Sequence, residues 1–308
     1  MDDVAMVADR RDGVRFGLSS FALKVIACVC MVVDHIGMYI PGMPEELRWV
    51  GRLSMPIFLF LIGWGCEFTH DRKRYVLRLY AASVGMSVLQ TIWHDLPNIF
   101  MTLFQVALII TLLSVDDWKR RLRNIGLYIL WQVGWFAIFT AIDSLFPAVG
   151  SNSFLAPFRY LIQAVFGLSI AVDYGLYIVI MGVAFWIARN SRVQFAVTFG
   201  VFVVFWMMIV NTQYGLLSMC VIPHALGNIC NIRLSPIATV YTIFGFNPMT
   251  LGYSLLEYPQ WMMIFALPFM LLYNRQHGWG SRGTKWFFYV FYPVHILILY
   301  FIGKAVGA

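Results

Sequence analysis

Asp34 and His35 stand side by side in "LKVIACVCMVVDHIGMYIPG", residues 23–42, a run otherwise apolar enough to lie in a bilayer. An ionisable side chain inside a membrane helix costs at least about 2.5 kcal/mol, so such residues are rare and tend to be functional. An imidazole exchanges protons near neutral pH and can act as general base or nucleophile. A carboxylate can orient it or balance its charge. Adjacent residues on a helix do not face each other, so each of the two is expected to meet its own neighbour in the bundle. The plainer reading makes both of them packing residues that join helices through interhelical hydrogen bonds.

Lys24 precedes His35 by eleven residues. At about 100° and 1.5 Å per residue, the two share one helix face and lie roughly 16 Å apart along the axis. A cation at the cytoplasmic mouth and an imidazole deeper in suit a long ligand with an anionic end and a reactive tip, which is the shape of a coenzyme A thioester. Such a lysine also serves as a snorkelling anchor. Arg52, at the outer entry of "WVGRLSMPIFLFLIGWGCEFT", suits an anionic substrate or a developing oxyanion, and equally an interface anchor. In "RKRYVLRLY", Arg72, Lys73 and Arg74 read as topogenic cations, whereas Arg78 lies inside a span and needs a partner. Asp173 stands before a tyrosine and a glycine in "AVDYGLY", and His295 follows Pro293 in "FFYVFYPVHILILY". That proline is expected to bend or break its helix and to free backbone groups.

The elements that position these residues must be membrane helices. The chain is 60% hydrophobic and 12% charged, against roughly 45–50% and 25% in soluble domains, and its mean hydropathy is +0.75. The fold class is therefore all-α, a polytopic membrane helix bundle with about ten or eleven transmembrane helices of ~20 residues each. Residues 1–20 read as a cytoplasmic tail and 21–305 as a single transmembrane domain. Apolar runs fall near 21–40, 54–69, 76–94, 98–115, 124–146, 157–172, 174–188, 194–211, 214–229, 235–250, 258–273 and 286–303. The basic stretches "HDRKRY", "DDWKRRLR" and "NRQHGWGSRGTK" should lie in the cytoplasm, which puts the end of the first span outside. If 157–172 crosses fully, "ARNSR" falls outside against that rule. If it is re-entrant or interfacial, "ARNSR" is cytoplasmic and a cavity is expected near "AVDYGLY".

The net charge of +7 is accounted for by these loops, with a further role in binding a phosphate-bearing cofactor left open and nucleic acid excluded as a partner. Five cysteines, all in or beside apolar runs, give neither a disulfide framework nor zinc spacing. No metal-ligand run, glycine-rich phosphate fingerprint or internal repeat occurs, so no metal is expected and the site must be assembled from separate helices.

"LKVIACVCMVVDHIGMYI", "WVGRLSMPIFLFLIGWG", "YVLRLY", "NIFMTL", "AVDYGLYIV" and "FFYVFYPVHILILY" follow one another in an order that resembles the TraX family of bacterial membrane proteins, from about residue 20 to 303. That family is associated with N-terminal acetylation of conjugative pilin and looks related to the broader transmembrane acyltransferases. These share a basic residue, ten intervening positions and a histidine, a spacing that Lys24 and His35 fit. The resemblance implies an acetyltransferase of the bacterial plasma membrane, multi-pass with a cytoplasmic N-terminus. Its donor would be cytoplasmic acetyl-CoA and its acceptor a protein N-terminus or a glycan hydroxyl near the outer face. On that reading Lys24, with some of Arg72, Lys73 and Arg78, holds the donor phosphates. His35 is general base, or carries the acetyl group covalently. Asp34 or Asp173 orients the imidazole, Arg52 serves the acceptor or oxyanion, and His295 is a second polar group in the cavity. The rival from another class is a proton-coupled transporter with an intramembrane Asp/His/Arg site.

Overall fold

The computed structural model describes residues 16–145, 158–169, 175–210, 243–245, 255–256 and 258–307. Among them every extended element is helical: α1 (Ser20–Tyr39), α2 (Glu46–Gly51), α3 (Ser54–Phe68), α4 (Arg72–Ile92), α5 (Ile99–Leu113), α6 (Trp118–Leu145), α7 (Phe158–Val165), α8 (Gly175–Ala188), α9 (Arg192–Val210), a 3-10 helix (Pro259–Ala266), α10 (Leu267–Leu271) and α11 (Arg282–Val306). Among the described residues, five helical stretches are long and apolar enough to cross a membrane: Ser20–Tyr39, Glu46–Phe68, Trp118–Ile142, Arg192–Val210 and Trp286–Val306.

Helix starts follow local chemistry. The first N–H groups of a helix lack intrahelical acceptors and take side-chain caps. Ser19 caps α1 through Ala22 N, Asp71 caps α4 through Arg74 N, and Asn98 caps α5 through Met101 N. Ser281 and Thr284 form a reciprocal capping box on α11. Pro56 falls in the first turn of α3, where its missing N–H costs nothing. Pro293 was expected to bend or break its helix, yet α11 runs through it without ending.

α3, α5 and α8 form the interior. Every residue of α5 from Ile99 to Ala107 is buried, and Gly182 of α8 lets Val106 and Leu59 approach its backbone. α6 is the opposite case, with only 6% of its apolar window buried and Leu122, Leu127, Leu130 and Val133 exposed. A helix apolar all round and exposed is one that faces lipid.

Long-range contacts define two ends. At one, Leu18 N donates to Leu272 O and Ser20 N to Gln276 O, both at 2.8 Å, and Arg189 pairs with Glu67 at 3.2 Å. "ARNSR" therefore lies at the same end as "HDRKRY". At the other end Gly303 packs on the Tyr39 carbonyl, and Trp93 meets Tyr300 and Phe301.

The placement of "ARNSR" follows from α7. Its eight residues span about 12 Å, short of the roughly 30 Å of a hydrocarbon core, so α7 does not cross by itself. The chain turns out of helix at Gly167 and re-enters at Gly175, both with positive φ, and α8 continues to the basic end. The broken backbone is satisfied by neighbouring side chains. Gln105 and Gln132 both donate to Gly167 O, at 2.8 and 2.9 Å, and Trp131 Nε1 donates to Phe166 O at 2.9 Å. Tyr80 donates to Val165 O at 2.7 Å. Tyr128 donates to Gln105 Oε1, and Ser169 N and Oγ both donate to Gln132 Oε1.

Candidate active site

α1 and α11 bring together two histidines 260 residues apart, with His35 Nδ1 2.8 Å from His295 Nε2. Their rings stack at 5.0 Å and 17°, and both are over nine-tenths buried. His295 Nδ1 lies 2.8 Å from the carbonyl of Phe291, one turn earlier on α11. A carbonyl only accepts, so Nδ1 carries the proton and, in the neutral ring, Nε2 of His295 is an acceptor. His35 Nδ1 must then donate to it. The remaining nitrogen, His35 Nε2, is left with its lone pair and has no hydrogen-bond partner among the described residues. A relay of carbonyl, imidazole and imidazole thus fixes His35 in the tautomer that a base or nucleophile requires.

The pair is held by what surrounds it. Phe291 stacks on His295 at 4.9 Å. Tyr292 presents its edge to His35, while its hydroxyl donates to Pro97 O and accepts from Ile99 N. Those two bonds pin α11 onto the start of α5 at the depth of the histidines.

Asp34 faces a different neighbour, as adjacency on a helix requires. Arg48 Nε lies 3.5 Å from Asp34 Oδ1, an ion pair too long for a hydrogen bond, and Arg52 acts electrostatically on the same carboxylate. Gly51 sits against Asp34 so closely that a Cβ there would overlap its side chain. Asp34 Oδ1 and the buried Arg52 Nε have no hydrogen-bond partner among the described residues, so this cluster keeps spare bonding capacity. Asp34 therefore turns to Arg48 rather than to the imidazole, whose orienting partner is His295. Arg48 carries no signal of its own in "EELRWVGR" beyond its position one turn before Arg52.

The cations assigned to the donor separate. Lys24 lies 5.4 Å over the ring of Phe288, and Arg78 lies over Tyr75 and reaches the hydroxyl of Tyr289. Both therefore bear on successive residues of α11, below the histidines. Arg72 is engaged elsewhere, donating to Cys66 O at 2.7 Å and pairing with Glu67 at 3.5 Å. Glu67 also accepts from Trp186 Nε1 at 2.6 Å. Lys73 is exposed. Asp173 lies outside the described residues, as do Cys220 and Cys230. Cys28, Cys30 and Cys66 are buried free thiols. Among the described residues no group of three or more His, Cys, Asp or Glu could hold a metal ion.

Comparison with known proteins adds a family. The family described as TraX protein matches residues 19–204, a range that contains Lys24, His35 and Arg52 but not His295. An uncharacterized protein, RP591, of Rickettsia prowazekii is 40% identical over 42 residues, 14% of this chain. The match spans only 17% of that relative's length. No solved structure matches the chain. With well over half of its length matched, and with a buried polar site inside an all-helical membrane fold, this chain belongs to the TraX family.

Proposed function

We propose that this protein is a membrane-embedded acetyltransferase that moves an acetyl group from cytoplasmic acetyl-CoA to an acceptor near the outer face. The acceptor is a pilin-like N-terminal amine or an extracytoplasmic glycan hydroxyl. The observation that carries the reading is the buried His35–His295 pair, whose fixed tautomer leaves His35 Nε2 free to take a proton. As the acceptor nitrogen or oxygen attacks the thioester carbonyl, Nε2 removes its proton. The C–S bond then breaks, and the imidazolium returns that proton to the departing thiolate, giving an amide or ester and a free thiol. His295 shares the positive charge through the Nδ1–H···Nε2 bond, and the Phe291 carbonyl supports it. Arg52, with its unused Nε, is suited to the acceptor or to the oxyanion. Lys24 and Arg78 lie on the donor side.

The arginine-rich end is cytoplasmic on this reading, in a bacterial plasma membrane, because Arg72–Arg74, Lys119–Arg121, Arg189, Arg192 and Arg275 gather there. The apolar runs at 214–229 and 235–250 fall largely outside the described residues.

The test is acetyl-CoA binding and coenzyme A release by protein in nanodiscs, with an amine-terminated peptide and an oligosaccharide offered as acceptors. Wild type should bind and turn over, His35→Ala should bind without release, and Lys24→Ala should bind weakly. Absence of acetyl-CoA binding up to millimolar concentration sinks the donor. The broken crossing of α7 and α8 favours a second reading, a proton-coupled carrier, since discontinuous helices line substrate sites in transporters. That reading requires substrate flux into vesicles with no coenzyme A consumed.

A further inference from the structure

At the basic end a cavity of about 240 Å³ is lined by Arg189, Arg192 and Arg275 together with Trp64, Tyr273 and Phe16. Its walls come from the end of α3, the turn between α8 and α9, and the segment after α10. Three guanidinium groups in one small cavity repel each other unless an anion joins them, and the described residues supply little. Arg189 is paired with Glu67, but that carboxylate also serves Arg72 and Trp186. Arg192 and Arg275 are exposed and have no carboxylate partner among the described residues.

Two independent features indicate that the cavity is built for a ligand. Arg275 is the one described non-glycine residue with positive φ, at 62°, a strained conformation that persists where surrounding structure imposes it. The surroundings are rigid, because Asn274 N donates to Leu18 O and Ser20 N to Gln276 O, clamping both sides of Arg275 to the start of α1. So held, the Arg275 guanidinium sits 5.0 Å over the Trp64 ring. Trp64 in turn is 7% exposed, and its indole N–H has no acceptor among the described residues. A buried donor without a partner is costly, which favours an acceptor oxygen arriving from outside.

We infer that this cavity is the phosphate-recognition site of the protein and holds the adenosine 3′,5′-bisphosphate end of coenzyme A. The inference rests on the donor proposed above and gives its phosphates a site other than Arg72 and Lys73. Arginine is suited to the task because its planar fork binds phosphate oxygens in pairs. A cavity of 240 Å³ is smaller than the roughly 300–1,000 Å³ that encloses a whole small ligand, so it grips a phosphate-bearing end. Phe16, 94% exposed at the rim, offers a face for a base. Tyr273, whose hydroxyl bonds to Ser20 at 2.8 Å, joins this cavity to the α1 helix that carries Lys24 and His35.

The experiment measures binding of coenzyme A and of adenosine 3′,5′-bisphosphate to the full chain in nanodiscs of phosphatidylcholine. Wild type is compared with Arg192→Gln, Arg275→Gln and His35→Gln, and thermal unfolding checks that each variant folds. The expected result is at least a 10-fold loss of affinity for both ligands in each arginine variant and no loss in His35→Gln. Unchanged coenzyme A affinity in the arginine variants overturns the site and leaves the donor standing. If wild type binds neither ligand, donor and assignment fall together. Arginine-dependent retention of phosphatidylglycerol in native mass spectrometry then reassigns the cavity to a lipid headgroup.

Discussion

Two of the polar clusters inside this bundle are built on opposite plans. Around Gly167 the broken backbone is met by Gln105, Gln132, Tyr128, Trp131 and Ser169. There the bonds close on one another, with the Gly167 carbonyl and the Gln132 amide oxygen each taking two donors. Around His35 the bonds run in a line instead, from the Phe291 carbonyl through His295 to His35 Nδ1, and end at a nitrogen with no hydrogen-bond partner among the described residues. A closed network stabilises what it encloses. An open one holds a reactive group ready, and this difference separates structural glue from a site more sharply than the presence of polar residues does.

The comparison can be broken in several places. The largest effect should come from His35→Ala, which removes the open end and should lower coenzyme A release by about 10³-fold, within the range for loss of a general base. An active His35→Ala variant would make the pair packing glue like the other cluster. His295→Leu should cost roughly 10- to 100-fold, a part of the same contribution, because His35 Nδ1 loses its acceptor. His295→Gln should recover most of that loss, since the amide oxygen accepts from His35 while the NH₂ donates toward Phe291. Equal losses in Leu and Gln would refute the relay. Gly51→Ala drives a methyl into Asp34 and should destabilise the packing of α1 on α2 by about 1–3 kcal/mol, read as a lowered unfolding midpoint. The smallest effect is expected from Gln132→Leu, about 1 kcal/mol of stability with turnover kept. If it instead abolishes activity or flux in a stably folded protein, the break belongs to the function and the carrier reading gains.

Much of this was legible in the sequence, for physical reasons that also mark where legibility ends. Membrane helices declare themselves through apolar length, and Asp34, His35 and His295 stand out because charge in such a run is expensive. The pairing of His35 with His295 could not be read, because helical periodicity says which face a residue occupies and nothing about what lies opposite. Arg48 was missed since a cation in a polar loop is unremarkable until the carboxylate it meets is known. The run at 157–172 looks like a full span by composition, but its described helix is only eight residues long. The glycines of "FGLSIAVDYG" were the available sign, as left-handed backbone at Gly167 and Gly175 is what ends one half-helix and starts the other. Arg72 shows the converse limit. It belongs to a basic motif that suggests phosphate, yet Glu67 and the Cys66 carbonyl already occupy it.

The broken passage also constrains how the protein is made. A segment of eight helical residues followed by an open turn is a poor substrate for the translocon, because its exposed carbonyls meet lipid with no donors of their own. Gln105, Tyr128 and Gln132 precede it in the chain and belong to helices synthesised earlier. α5 and α6 must therefore already stand side by side in the membrane when residues 158–188 emerge, so that the Gly167 carbonyl enters a prepared slot. Biogenesis is ordered by this one carbonyl, and swapping the order of those segments should strand the second half of the chain outside the membrane before any question of catalysis arises.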